Sequence, residues 1–204
     1  MPPPVLYYVR HGETDWNAGR RLQGQSDTPL NDSGRAQARR CGEILRGLLA
    51  RDGRAPAGLD YVSSPLSRAC TSMELMRGAL GLDPAGYRVD PRLIEMSFGQ
   101  WDGLNFSDLR TQAAAELAVR EQNPWHFAPP GGESYEQLLP RIRSWHADLT
   151  RDTVVSAHLC TARALLVHLG LAPPAAAPRS RIEHAAVYVF DANGMTRHAE
   201  PVAI

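Results

Sequence analysis

The sequence predicts an α/β fold, and three stretches predict it. Val5-Leu6-Tyr7-Tyr8-Val9, Leu59-Asp60-Tyr61-Val62 and Thr153-Val154-Val155-Ser156-Ala157 are apolar runs too short for amphipathic helices and rich in β-branched and aromatic residues. Such runs read as buried strands. Each leads through a turn into helical spacing, the alternation of a sheet covered by helices. In an open α/β sheet, ligands collect at the carboxyl ends of the strands, so the residues after each run are where chemistry is sought first.

Directly after the first run stands Arg10-His11-Gly12-Glu13-Thr14-Asp15-Trp16-Asn17. A cation, an imidazole and a flexible backbone delivered together at a strand end suggest an anion site. A neutral imidazole can attack phosphorus, and it is activated when its other ring nitrogen donates to a fixed acceptor. Gly12 lets the main chain come close enough to supply that acceptor. Arg10 offers a planar fork of donors suited to phosphate oxygens, and Asn17 adds an uncharged donor. Arg-His-Gly also occurs by chance, and a histidine at a strand end can be a plain polar residue.

Asp27 to Gly34 is turn chemistry leading into a helix whose Cys41, Ile44, Leu45, Leu48 and Leu49 share one face. Arg35, Arg39, Arg40 and Arg46 lie off that face and read as solvated. A loop over 53–58 precedes the second strand, which runs into Ser63-Ser64-Pro65-Leu66-Ser67-Arg68. Ser64 can cap a helix there, with Pro65 at the first helical position. Arg68 then falls in the first turn, beside amides that attract anions, whereas helical arginines usually stabilise the other end of the dipole.

Arg88-Val89-Asp90 reads as a short strand. Glu95 follows between Ile94 and Met96, apolar neighbours that desolvate a carboxylate and favour its holding a proton, as a general acid must. An outward-pointing glutamate would fit the same pattern. Ser107 to Gln122 reads as one weakly patterned helix. Asn123 to Gly132 is a rigid aromatic loop, either a pocket wall or lid, or simply packed on the core. Glu133 to Thr150 is the clearest helix, with Leu138, Leu139, Ile142, Trp145 and Leu149 on one stripe and Pro140 able to kink it. The strand over 153–157 ends in His158, and helical spacing resumes from Thr161 to Leu169. A second histidine thus stands at a strand-to-helix junction like the first. Ala172 to Pro178 reads as a linker. Ala186 to Phe190 is the last strand, turned by Asp191 to Gly194 into a short hairpin end.

The 204 residues suit one domain spanning 1–204 with a substantial core, and the formal net charge is zero. No basic block or basic-aromatic stripe advertises nucleic acid, and no apolar run reaches membrane-spanning length. Met1-Pro2-Pro3-Pro4 lacks the features of a secretory leader, so a cytoplasmic location is expected. Cys41, Cys70 and Cys160 are spaced for neither a disulfide framework nor zinc, and neither Cys70 nor Cys160 has the arginine spacing of a cysteine-based phosphatase. The chain contains no lysine. A Walker-type phosphate loop and a Schiff-base enzyme both need one, so both classes drop out. No Gly-x-Gly-x-x-Gly follows the first strand to support a dinucleotide site.

Taken together, these motifs resemble the histidine phosphatase superfamily, also called the phosphoglycerate-mutase-like family, over nearly the whole chain. Arg10-His11-Gly12-Glu13-Thr14 with Trp16-Asn17 resembles its signature. Leu22-Gln23-Gly24, with Asp27, Pro29-Leu30 and Gly34, is similar to the segment that follows. Ser63-Ser64-Pro65-Leu66 with Arg68-Ala69 resembles the second arginine motif, and Glu95 with Phe98-Gly99 and Trp101-Asp102-Gly103 resembles the proton-donor motif. Pro130 to Ser134, then Val154 to His158 with Arg163, complete the order.

The resemblance implies a three-layer sandwich: a mostly parallel central sheet, helices on both faces, and a helical insertion over the active site. It implies a metal-independent phosphomonoesterase with no cofactor. His11 would be the nucleophile. Arg10, Arg68 and His158, with Asn17 assisting, would neutralise the phosphoryl oxygens, and Glu95 would act as acid and base. Gln23, Gly24 and Leu159 are the other expected substrate-binding positions. Small phosphorylated metabolites are the expected partners, and a homodimer is compatible.

Two departures stand out. Leu159 replaces the glycine that usually follows the second histidine. Met96 and Phe98 stand where the glycolytic mutases carry a substrate-holding arginine and tyrosine, which favours a phosphatase over a phosphoglycerate mutase. The intact set of Arg10, His11, Arg68, Glu95 and His158 argues against an idle phospho-ligand binder, which would not need the acid. Ser72 in place of a common threonine is minor.

Overall fold

A computed structural model describes residues 3–200; Met1 and Pro2, part of the stretch read as lacking a leader, lie outside the described residues. From β1 (Leu6–Arg10) the chain forms, in order, α1 (Asp15–Ala18), α2 (Asp32–Arg51), β2 (Asp60–Ser63), α3 (Ser67–Ala79) and β3 (Arg88–Val89). Then come α4 (Phe106–Gln112), α5 (Ala114–Gln122), α6 (Tyr135–Ala147), β4 (Thr153–Ala157), α7 (Leu159–His168), β5 (Val187–Asp191) and β6 (Gly194–His198).

The strands form one sheet in the order β3-β2-β4-β1-β5-β6, parallel from β3 to β1 and antiparallel at β5 and β6. Successive strand side chains face opposite ways, and this alternation sets the layers. Tyr7 and Val9 of β1 pack with Ile44, Leu45 and Leu48 of α2 and Met73 and Met76 of α3. Leu6 and Tyr8 pack with Leu138, Ile142 and Trp145 of α6 and Leu165 and Leu166 of α7. Burying each such side chain contributes about 1.5–3 kcal/mol. The apolar stripes of α2 and α6 are thus the two contact faces of a three-layer α/β sandwich. Gly42 permits the close α2–α3 approach, since a Cβ there would lie 2.6 Å from the Cβ of Ala79 and 2.8 Å from the carbonyl oxygen of Met76.

Four sequence expectations are corrected. The helix over 107–122 is two helices, broken at Ala113 (φ −144°, ψ 42°). With no continuous apolar stripe to keep it straight, the chain turns there, and only Leu109 and Leu117 of the pair are buried. Ser64 does not cap α3: that helix starts at Ser67 after Leu66, with no side-chain cap. The proposed linker packs down instead, with Ala177 and Pro178 buried in a 3₁₀ turn. The hairpin end is a full strand, β6, paired along β5. The aromatic loop packs on the core: Trp125 stacks on Tyr135 at 5.5 Å, and Phe127 lies 5.2 Å from Trp101. Among the described residues no helix is long and apolar enough to cross a membrane.

Candidate active site

Three parallel neighbours end at the same edge of the sheet. The amide of His11 donates to the carbonyl of Ala157 at 3.0 Å, and that of Ser64 to Ser156 at 3.0 Å. His11, Ser64 and His158, the residues that follow β1, β2 and β4, therefore stand side by side.

His11 is 3% exposed. Its Nδ1 donates to the carbonyl of Gly12 at 2.7 Å, because a carbonyl can only accept. In the neutral ring Nε2 then carries a free lone pair. Burial is the main force holding His11 well below the usual histidine range, reinforced by His158, Arg68 and Arg10. Gly12 is compelled by packing: a Cβ there would fall 2.1 Å from the carbonyl oxygen of Gly34. Its amide donates to Ser72 Oγ at 3.0 Å, and that hydroxyl donates to the carbonyl of Arg68 at 2.7 Å. The serine thus ties the loop after His11 to the helix that carries Arg68.

His158 is fully buried, with its ring 5.1 Å from that of His11. Its Nε2 pairs with Ser64 Oγ at 2.6 Å, while Nδ1 has no partner in the protein. With the Ser64 hydroxyl donating a hydrogen bond to Nε2, Nδ1 carries the ring proton and is free to donate. Arg68 is also fully buried. Its two terminal nitrogens donate to the carbonyls of Ser26 (2.7 Å) and Gly24 (2.8 Å), and its Nε is unpartnered. Arg10 donates to the carbonyl of Ile182 at 2.9 Å and likewise has a buried, unpartnered Nε. A buried donor left unpaired costs roughly 1–3 kcal/mol, so three of them around one imidazole make a place where an oxyanion is welcome.

Glu95 is 6% exposed. Its two carboxylate oxygens accept from the amides of Met96 (2.9 Å) and Cys160 (3.1 Å). Its main chain is pinned by Arg141 (3.1 Å) and Gln25 (3.1 Å), both donating to the Glu95 carbonyl. The cavity in front of His11 measures about 470 Å³, and Arg10, Asn17, Gln23, Gly24, Arg68, Glu95 and Leu159 all line it. Every residue expected at the site is therefore at the cavity or, for His158, directly beside His11. Asn17 spends its side-chain oxygen on the cap of α1, accepting from the Thr14 amide at 3.1 Å. Gln23 donates to the Thr14 hydroxyl. Gly24 (φ +48°) is needed because a Cβ would collide with Asp102 Oδ1 at 2.3 Å.

Sequence reasoning missed His184, which lines the same cavity with its ring 5.6 Å from that of His11. It also missed Ser64 as the partner of His158, and Arg141. Among the described residues no group of three or more His, Cys, Asp or Glu is placed to hold a metal.

The buried histidines make folding pH-dependent. His11 and His158 are held well below 6.5 and His184 is held at about 4, in each case by burial first. Each is neutral when folded and takes up a proton on unfolding once the pH falls below the unfolded value of 6.5. The unfolded chain then binds more protons, so stability falls with acid, by up to about 1.4 kcal/mol per pH unit for each such histidine. Denaturant midpoints measured from pH 7.5 to 5 should decline across this window, which lies above the folded value of about 4 for His184. A midpoint that is flat or rises on acidification would contradict neutral buried rings.

Residues 6–202 match the sequence profile of the histidine phosphatase superfamily (branch 1). The chain is 29% identical over 199 residues to a 2,3-bisphosphoglycerate-dependent phosphoglycerate mutase 2 of Gloeobacter violaceus, covering 92% of this chain and 85% of that one. It is 41% identical over 145 residues to a glucosyl-3-phosphoglycerate phosphatase of Mycobacterium tuberculosis, covering 71% of this chain and 59% of that relative's length. Its fold superposes on the mycobacterial glucosyl-3-phosphoglycerate phosphatase complexed with VO3, with a TM-score of 0.75 and 32% identity over 93% of this chain and 90% of that one.

Proposed function

The chain belongs to branch 1 of the histidine phosphatase superfamily, and from that premise we propose that it hydrolyses phosphomonoesters of small metabolites through a phosphohistidine at His11. The observation that carries the reading is the fixed tautomer of His11. Nδ1 is committed to the Gly12 carbonyl at 2.7 Å, which leaves Nε2 as a neutral nucleophile in a cavity shared with Arg10, Arg68 and Glu95.

The chemistry runs in two steps. Nε2 of His11 attacks phosphorus, the ester P–O bond breaks, and protonated Glu95 gives its proton to the departing oxygen. Glu95, now a carboxylate, takes a proton from water; the water oxygen bonds to phosphorus, the P–N bond breaks, and inorganic phosphate leaves. Arg10, Arg68 and His158 donate to the phosphoryl oxygens throughout, with Asn17 assisting. Arg10 and Arg68 supply the positive charge that a metal supplies in other phosphatases, while His158 and Asn17 donate as neutral groups. Phosphate release from a panel of metabolite phosphomonoesters, with and without a chelator, tests the reading. Release at equal rates in both is expected; no release from any ester would refute it.

The Gloeobacter relative supports a second reading, a phosphoglycerate mutase. Against it, Met96 is buried and Phe98 lines the cavity, where a mutase would hold its substrate with arginine and tyrosine. Stimulation by added bisphosphoglycerate would mark a mutase.

Leu159 sets the size of what enters. It is half-buried and shares the cavity wall with Phe98 and Phe106. Leu159→Gly should shift kcat/KM toward bulkier esters by about 1–2 kcal/mol, the worth of a few methylenes in a pocket. An unchanged ratio between a compact and a bulky ester, in a folded variant, would return Leu159 to the core.

A further inference from the structure

We propose that His184 is a specificity-determining residue whose Nε2 accepts a hydrogen bond from a neutral hydroxyl on the alcohol part of the substrate, so that the site selects phosphomonoesters of polyhydroxy alcohols. The inference rests on the phosphomonoesterase reading and names the class of leaving group it takes.

His184 stands just before β5, and because β5 runs antiparallel to β1, with Val187 opposite Val9, its leading end arrives at the His11 edge of the sheet. The backbone there is forced: Ala185, the next residue, adopts φ +54°, a left-handed conformation that a residue with a Cβ takes only at a cost. On the other side the Glu183 amide is held by the hydroxyl of Tyr188 at 2.7 Å. The ring is thereby placed with Nδ1 2.6 Å from the carbonyl oxygen of His11.

That contact fixes the tautomer. A carbonyl only accepts, so Nδ1 carries the proton. Burial, followed by the charge of Arg10, pulls the ring down to about 4, so at neutral pH it holds no second proton. Nε2 is then a lone pair with no hydrogen-bond partner in the described protein, on a ring that lines the cavity of His11 and Glu95. The same ring and Arg10 also line an adjoining groove of about 520 Å³, so His184 stands between the two, within reach of the part of a substrate that extends beyond its phosphate.

A lone pair at that point discriminates by chemistry. A second phosphate or a carboxylate would set its own lone pairs against it. An ammonium would satisfy it, but it would sit beside Arg10 in a cavity where Arg10, Arg20, Arg21 and Arg68 outnumber Glu13 and Glu95. A neutral hydroxyl supplies the donor without the repulsion. Sites that present a hydrogen-bonding group to a substrate hydroxyl reject the analogue lacking it, because the protein group is left unpaired.

The test compares 2-hydroxyethyl phosphate, ethyl phosphate and 2-aminoethyl phosphate. Affinities are measured by calorimetry on His11→Ala protein, in which turnover cannot confuse binding, and kcat/KM is measured on the otherwise native protein. Hydroxyethyl phosphate should be preferred over ethyl phosphate by roughly five- to twentyfold in both measurements, with the aminoethyl ester no better than the ethyl ester. His184→Asn, whose side-chain amide can still donate to the His11 carbonyl but offers nothing at the Nε2 position, should bring the hydroxyethyl-to-ethyl ratio to within twofold. His184→Phe should do the same. A merely structural role would weaken both esters together and leave the ratio standing, and that result overturns the proposal. So does a native protein with no preference, or one that prefers the aminoethyl ester. Failure to turn over either ester would strike the phosphomonoesterase reading, while the calorimetric ratio still decides the role of His184.

Discussion

His11→Ala is expected to abolish phosphate release, with a loss on the order of 10⁴-fold or more, because the variant lacks the imidazole that stands among the unpaired donors of Arg10, Arg68 and His158. Arg10 and Arg68 are cations without lone pairs to offer. The His158 ring is fully buried and held by Ser64, and Cys160 is 2% exposed with its thiol pushed up to about 12. The fold should survive, since the His11 side chain makes one hydrogen bond, to its own neighbour's carbonyl. Its loss also removes one proton taken up on unfolding below pH 6.5, so the variant should lose less stability than the native protein as the pH drops from 7 to 5. Native protein quenched with labelled substrate should carry phosphate that is labile to acid and stable to base, and His11→Ala should carry none. Label on another residue, or wild-type turnover in the variant, would end the phosphohistidine mechanism.

Much of this site could be read in the sequence because parallel topology converts order along the chain into proximity. A strand that ends in His11 and another that ends in His158 need only be parallel neighbours for the two rings to meet, and the register pairing Arg10 with Ala157 makes them so. Arg68 lies in the first turn of α3 as expected, although that helix starts at Ser67 and not at Pro65 behind a Ser64 cap. Glu95 was legible as a carboxylate among apolar neighbours, but its two backbone donors come from Met96 beside it and from Cys160, 65 residues on. Only the folded chain shows the second.

His184 shows where such reading stops. Its run, Ile182-Glu183-His184-Ala185, has no periodicity of its own, and its nearness to His11 depends on β5 being antiparallel. Strand direction is not written in an alternating apolar pattern. The left-handed φ of Ala185 is equally silent, since alanine rarely takes it without tertiary support. Arg141 was hidden differently. It lies on the clearest helix in the chain, where an arginine reads as solvated, yet it folds back onto the Glu95 carbonyl and the Glu133 carboxylate (3.2 Å). The single helix expected over 107–122 failed for want of packing: little apolar surface told the chain to stay straight, and Ala113 turned it.

Glu95→Gln should lower kcat/KM by about 10²- to 10⁴-fold for an alkyl phosphate, whose departing alkoxide needs a proton, and far less for an aryl phosphate with an acidic phenol. The contrast between the two leaving groups matters more than either loss, because glutamine changes more than acidity at this position. Both carboxylate oxygens accept backbone amides, Met96 at 2.9 Å and Cys160 at 3.1 Å. The amide nitrogen of a glutamine would face one of those N–H groups donor to donor. Either that amide goes unpaired, at roughly 1–3 kcal/mol, or the side chain swings away, and both would slow every substrate alike. Such a common loss cancels in the ratio of alkyl to aryl kcat/KM, leaving the part that depends on protonating the leaving oxygen. Hydrolysis of the phosphoenzyme also needs Glu95, as the base that activates water. With an aryl phosphate the variant should therefore release phenol in a burst and then accumulate labelled His11. Equal losses on both esters, with no burst, would show that Glu95 only holds Cys160 and Met96 in place and that the proton comes from elsewhere.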